Sequence, residues 1–238
     1  RSWASVTVAG DMPLARQRHE AAYAPGLNGV LFFGGSTNSG LSNDLLLFTA
    51  RAGGAGPRFT AAGVVNAFSN QAGPLAPGSI VTIYGTGLGP EQGVAASFDE
   101  NGELRRAVAG VTVAFNGIPA PILYVQAGQD VNVGDLVSPS VRVSIAATSP
   151  GLYSAAFRPD GTMVTAMSPA RPGELLVIFA TGLGVTAPAA RTGFATNTLD
   201  LRPAAPLQVR IGGREAAIEF AGLAPGAVGV VQIHVRVP

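Results

Sequence analysis

The 238 residues leave room for about two domains of ordinary size. Only 12% are charged, and a formal net charge of +1 gives no electrostatic basis for binding nucleic acid or an acidic partner. All 15 cationic residues are Arg and Cys is absent, which excludes lysine Schiff-base and P-loop chemistry, thiol nucleophiles, disulfides and cysteine-bound metal centres.

Residues 1–50 differ in character from the remainder. Trp3 is followed by Pro13-Leu14-Ala15-Arg16-Gln17-Arg18-His19, then by Gly29-Val30-Leu31-Phe32-Phe33-Gly34-Gly35, then by Asn43-Asp44-Leu45-Leu46-Leu47-Phe48. This order resembles a Kelch β-propeller repeat: the tryptophan, the Pro-x-x-Arg-x-x-His approach, a strand ending in Gly-Gly and an Asn-Asp-Leu strand. The resemblance implies a partial blade. One blade cannot bury both sheet faces, and a closed propeller needs several. An isolated hairpin docked on a neighbour is the other reading. In either case Phe32, Phe33 and residues 45–48 need cover. Residues 51–62, rich in Gly and Ala, read as a linker.

Beyond the linker the chain repeats itself. Pro77-Gly78-Ser79-Ile80-Val81-Thr82-Ile83-Tyr84-Gly85-Thr86-Gly87-Leu88-Gly89 returns as Pro172-Gly173-Glu174-Leu175-Leu176-Val177-Ile178-Phe179-Ala180-Thr181-Gly182-Leu183-Gly184, at an offset of 95 (172 − 77). The offset matches one small β-sandwich, so the pattern is a domain duplication. Pro-Gly predicts a turn, the β-branched and aromatic run a strand, and Thr-Gly-Leu-Gly its end. A second segment repeats too: Val111-Thr112-Val113-Ala114-Phe115-Asn116-Gly117 matches Leu207-Gln208-Val209-Arg210-Ile211-Gly212-Gly213. Asn-Gly and Gly-Gly predict two-residue hairpin turns. Ile122 and Tyr124 then match Ile218 and Phe220 on a returning strand with alternating apolar positions.

Gly63-Val64-Val65-Asn66-Ala67, Leu75-Ala76-Pro77-Gly78-Ser79-Ile80, Asn116-Gly117-Ile118-Pro119-Ala120-Pro121, Ser149-Pro150-Gly151-Leu152-Tyr153, Ala180-Thr181-Gly182-Leu183-Gly184 and Ala221-Gly222-Leu223-Ala224-Pro225-Gly226 follow in order. Together they resemble a bacterial domain family without an established activity, found at the C-terminus of large secreted proteins behind propeller or immunoglobulin-like repeats. Each half also resembles the IPT/TIG immunoglobulin-like fold. The resemblance implies an all-β chain: a partial Kelch-like blade at 1–50, the linker at 51–62, and two tandem sandwiches at 63–149 and 150–238. It further implies an extracellular or cell-surface location. One departure stands out. After Gln129-Asp130-Val131-Asn132-Val133 the chain runs directly through Gly134 to Pro139 into Val141–Ile145, so the first sandwich is expected to lack a strand or two.

Few groups invite chemistry. There are two histidines, His19 and His234. In Val231-Gln232-Ile233-His234-Val235-Arg236-Val237 the apolar residues fall on one face, and His234 is expected on the other, towards solvent. Gly34-Gly35-Ser36-Thr37-Asn38-Ser39-Gly40 lacks the spacing of a nucleophile elbow and reads as a loop. Phe98-Asp99-Glu100-Asn101-Gly102-Glu103 begins like a calcium loop without its distal bidentate Glu, and a hairpin tip accounts for it. Tyr84, Tyr124 and Tyr153 read as core or strand residues.

No catalytic residue, cofactor or metal ligand is therefore expected. The sequence predicts a non-catalytic structural and interaction module at the C-terminus of a secreted multidomain protein, with carbohydrate or polymer binding as the alternative. A hydrolase is the remaining class. Its expected partners are other domains of the parent protein and an extracellular protein or polysaccharide. Nucleic acid is not expected. Uncharged runs such as Phe59 to Pro90 carry Asn66, Asn70, Gln71 and prolines, so no membrane-spanning helix is expected. The start at Arg1, without Met or a signal-peptide pattern, reads as a piece of a longer protein.

Overall fold

A computed structural model describes residues 56–126 and 138–238, together with 16–17, 20–24, 29–33, 36–38, 40–41 and 45–48. Trp3, Pro13, His19, Gly34, Gly35, Asn43, Asp44 and the stretch 127–137 lie outside the described residues. The chain divides into two compact units, Arg1–Gly53 and Gly54–Pro238. Every described element is a strand, so the chain is all-β.

The first unit contains β1 (Arg16–Gln17), β2 (Glu20–Ala24), β3 (Gly29–Phe33), β4 (Ser36–Thr37), β5 (Gly40–Leu41) and β6 (Leu45–Phe48). They form two three-stranded antiparallel sheets, in the orders β1-β4-β5 and β2-β3-β6. The apolar run before Gly34 and the run after Asp44 are thus paired strands, in register from Val30↔Phe48 to Phe33↔Leu45. Phe33 remains 54% exposed.

In the second unit, β7 (Arg58–Asn66) pairs with β8 (Val81–Thr86). β7 begins inside the stretch read as a linker: residues 58–62 are strand, with Arg58 opposite Thr86. Four of the next six strands make two hairpins, β10 (Ala107–Val108) with β11 (Val111–Thr112) and β12 (Ala114–Phe115) with β13 (Ile118–Pro119). The other two, β9 (Val94–Ala95) and β14 (Tyr124–Val125), pair with each other.

The later residues build a larger sheet. It comprises β15 (Gly151–Phe157), β16 (Leu175–Thr181), β19 (Val209–Ile211), β20 (Arg214–Leu223) and β21 (Val231–Arg236), in the order β15-β16-β21-β20-β19. All its pairs are antiparallel. A small ribbon, β17 (Thr186–Ala187) with β18 (Arg202–Pro203), lies on the crossover from β16 to β19. Bulges interrupt β15 between Leu152 and Ala156 and β20 between Ile218 and Phe220, the device that bends an antiparallel sheet.

The two halves share their registers. Arg58↔Thr86, Phe59↔Gly85 and, past a bulge, Val64↔Ile83 correspond to Gly151↔Thr181, Leu152↔Ala180 and, past a bulge, Ala156↔Ile178. Likewise Ala114↔Pro119 and Phe115↔Ile118 correspond to Arg210↔Glu215 and Ile211↔Arg214. Both hairpins turn on two residues of positive φ, Asn116 (50°) with Gly117 (79°) and Gly212 (59°) with Gly213 (81°). That is the backbone Asn-Gly and Gly-Gly favour. The halves differ at β8. Its counterpart β16 is flanked on both sides, whereas β8 pairs only with β7 among the described residues.

The cores follow the same division. Leu176, Ala180, Leu183, Ala216, Val231, Ile233 and Val235 form one buried cluster. Val108, Ile122 and Val125 form a smaller one, against Val94, Val111 and Val113. In β21 the predicted alternation holds: Val231, Ile233 and Val235 are buried, Gln232 and His234 half-buried and Arg236 exposed. Tyr84, Tyr124 and Tyr153, read as core or strand residues, are strand residues, in β8, β14 and β15, and none of them is core. They are 56%, 57% and 49% exposed. Among the described residues no third strand lies beside β8 to screen Tyr84, while its counterpart Phe179 in the five-stranded sheet is half-buried.

Candidate functional site

The repeated motif builds a joint between the two halves. Strand β16 ends at Thr181, whose relative exposure is 0%. A threonine buried this deeply needs partners for its hydroxyl. Thr181 Oγ1 accepts the Ile80 N–H at 2.8 Å and donates to the Gly229 carbonyl at 2.8 Å, with the Gly78 carbonyl 3.2 Å away. The Thr-Gly-Leu-Gly of the second copy thus grips the Pro-Gly-Ser-Ile turn of the first.

The glycines make this approach possible. A Cβ on Gly182 would overlap the Ser149 carbonyl oxygen and stand 2.8 Å from Ser79 Oγ, and one on Gly184 would stand 2.6 Å from the Ala147 carbonyl oxygen. Both have positive φ, 77° and 87°. The Ser149 N–H donates to the Gly182 carbonyl at 2.8 Å.

Asn66, at the end of β7, secures the same junction. It is a buried polar residue whose Nδ2 donates to the Ser149 carbonyl at 3.2 Å, while Oδ1 accepts the N–H groups of Phe68 and Ser69. A Cβ on Gly151 would overlap that amide. Phe68 meets Tyr153 edge-on at 5.6 Å, joining the halves on the apolar side. Farther along, the Leu104 N–H of the first half donates to the Gly193 carbonyl of the second.

A second feature is an open hollow of about 630 Å³ beside the turn at Pro172 and Gly173. Arg158 organises it. Its Nε donates to Glu174 Oε1 at 2.6 Å, and its Nη2 donates to the carbonyls of Ser168 and Pro169. Glu174 Oε2 accepts the Arg171 N–H at 2.7 Å. That backbone bond, followed by the Arg158 side chain, holds the Glu174 carboxyl below its ordinary pKa. Met163 and Met167, 51% and 95% exposed, line the hollow.

The remaining candidates resolve into structure. Asp99 Oδ1 accepts the N–H groups of Asn101 and Glu103, each at 2.9 Å, and the Glu103 bond foremost lowers its pKa. One oxygen of the supposed calcium-loop Asp therefore caps a tight turn, as Asp160 Oδ1 does with Thr162. His234 lies opposite Phe220 in β20, ring centroids 5.2 Å apart. It is half-buried, where the sequence predicted a solvent-facing side chain. Among the described residues no group of three or more His, Asp or Glu could hold a metal ion, and no helix is long and apolar enough to cross a membrane. Sequence reasoning missed Thr181 and Asn66 as joint residues. The available signal was the identity of Thr86 and Thr181 within the repeat. No family model, curated protein or solved structure matches the chain.

Proposed function

We propose that the chain is a non-catalytic structural and interaction module at the C-terminal end of a secreted or cell-surface multidomain protein. Its two halves are read as tandem immunoglobulin-like, IPT/TIG-like sandwiches behind a partial Kelch-like blade, with other domains of the parent protein as first partners. The supporting observation is the joint. The best-matched stretch of the duplication is engaged in locking one copy to the next, through the buried Thr181 hydroxyl and glycines that admit no side chain. A motif with that duty sets the relative position of modules, which is what a structural spacer requires. Chemical unfolding followed at each half tests this. The halves are expected to lose structure in one transition, and Thr181→Val is expected to separate it into two. Independent unfolding of the halves in the native chain would remove the support.

The exposed tyrosines favour a second reading, carbohydrate or polymer binding. Tyr124 is 57% exposed, and its ring lies across Gly93, where any Cβ would overlap it. Its hydroxyl donates to Gln126 Oε1 at 2.7 Å. A held, exposed ring is the kind of platform on which a sugar face stacks. Affinity electrophoresis through gels carrying soluble polysaccharides decides: retardation lost in Tyr124→Ala supports this reading, and unchanged migration in every gel sinks it.

A further inference from the structure

The joint uses one turn of each repeat, and the chain carries a second turn of similar build, whose Gly173 carbonyl accepts Arg236 Nη1 at 2.7 Å where the Gly78 carbonyl faces the Thr181 hydroxyl. At the first, the Gly78 φ is 75°, Ser79 Oγ accepts the Ala76 N–H, and the Ile80 N–H goes to Thr181. At the second, the Gly173 φ is 79° and Glu174 Oε2 accepts the Arg171 N–H. Leu175 takes the place of Ile80. The β15–β16 ladder ends at Phe157↔Val177, so Leu175 lies beyond it and that ladder offers its N–H no acceptor. Pro172 and Gly173 are exposed, and the hollow rimmed by Met163 and Met167 opens beside them.

The gripping element is also present twice. Thr181 is buried in the joint, but its counterpart Thr86 is exposed at the end of β8. Gly87 has φ 65°, close to the 77° of Gly182. Gly89 differs from Gly184, being buried against Val125, so the grip available here is Thr86-Gly87-Leu88.

We propose that the Pro172-Gly173-Glu174 turn is a docking seat for Thr86-Gly87-Leu88 of a second copy of this chain, giving head-to-tail association. The occupant follows from the chain itself, which already seats this motif on this turn once, between residues 77–80 and 181–184. Seat and grip are different segments of the chain, so the contact is heterologous and propagates unless a ring closes. The adaptable methionines at the seat suit such a contact. The inference rests on reading the repeat motif as a module joint.

Sedimentation of the full chain from micromolar to millimolar concentration tests it. Two substitutions mark the two sides. Thr86→Val removes the hydroxyl at an exposed position. Gly173→Asn keeps a residue that tolerates positive φ, with nothing within 4 Å of its Cβ. Gly173 is exposed on the seat, so the new side chain occupies surface that the incoming grip would cover. The native chain is expected to associate with rising concentration, each variant about tenfold more weakly, as one buried hydrogen bond or one blocked contact dictates. An equimolar mixture of the variants retains one intact grip and one intact seat. It is expected to stop at dimers. A native chain monomeric throughout, or association indifferent to both substitutions, overturns the proposal, including the case where the seat takes a different protein. Thr181→Val unfolding is read in parallel, because failure there strikes the joint reading itself, whereas failure of association alone strikes only the second seat.

Discussion

Thr181 Oγ1 and the Ile80 N–H meet at 2.8 Å across 101 residues of chain. The bond joins the end of a strand in one repeat to the start of the matching strand in the other. Valine has threonine's shape without its hydroxyl. Thr181→Val would leave the Ile80 N–H and the Gly229 carbonyl without this partner inside a buried junction. The expected loss is about 1–3 kcal/mol, read from urea midpoints. Thr86→Val, at the equivalent but exposed position, is expected to change monomer stability by less than about 0.5 kcal/mol. Equal effects would mean that the junction contributes nothing specific.

Glycine positions supply a sharper contrast. Gly182 and Gly213 both have positive φ, 77° and 81°. Alanine at either pays the left-handed strain, on the order of 1 kcal/mol. At Gly213 the new methyl meets nothing within 4 Å, whereas at Gly182 it overlaps the Ser149 carbonyl. Gly213→Ala is therefore expected to lower the melting temperature by a few degrees, and Gly182→Ala by clearly more. Differential scanning calorimetry of the two variants checks the order.

The sequence made the local chemistry plain. Asn116-Gly117 and Gly212-Gly213 were readable as hairpin turns because a two-residue hairpin demands positive φ at both positions. The faces of β21 were readable because side chains alternate along a strand. What was hidden depends on contacts distant in sequence. Thr181 reads locally as the residue that ends a strand, and only its approach to Ile80 makes it a joint. Tyr84 matches Phe179 within the repeat. Their environments differ because, among the described residues, β8 is flanked on one side and β16 on both, and strand count is not written in a residue's neighbours. His234 was assigned the correct face but the wrong environment. That face carries the half-buried Phe220 and Phe157.

Acid should loosen the hollow before it loosens the core. Glu174 accepts Arg171 N–H and Arg158 Nε, which hold its carboxyl below the ordinary pKa. A lowered folded pKa means that the unfolded chain binds protons more readily. The stabilising effect of Glu174 is therefore complete above the unfolded carboxyl value, about 4.3, and disappears as pH falls through the folded value. Asp99 and Asp160 act in the same direction in their own turns. Stability is expected to be flat from neutral pH to about 5 and to fall below that. In Glu174→Gln the decline should be shallower. An identical acid profile in the variant would show that this carboxylate is not linked to folding.

The last strand offers the most direct test of register. Ile233 is 1% exposed, sits at the centre of the larger cluster and pairs with Ile178 on one side and Ala221 on the other. Both neighbours are partly buried against that cluster, so the surroundings have little freedom to close over a lost side chain. Ile233→Ala is expected to cost about 2–5 kcal/mol. His234, one position along, faces the other side of the sheet, between Val177 and Phe220, and is half-buried. Its contact is the Phe220 ring, with centroids 5.2 Å apart, and such a ring pair is worth about 0.5–1.5 kcal/mol. His234→Ala should therefore register, but well below Ile233→Ala, and His234→Phe should recover most of the loss because the ring contact returns without the imidazole nitrogens. Denaturant midpoints of the three variants decide the matter. A larger loss at His234 than at Ile233, unrecovered by phenylalanine, would mean that β21 is slipped by one residue and that the imidazole faces the core.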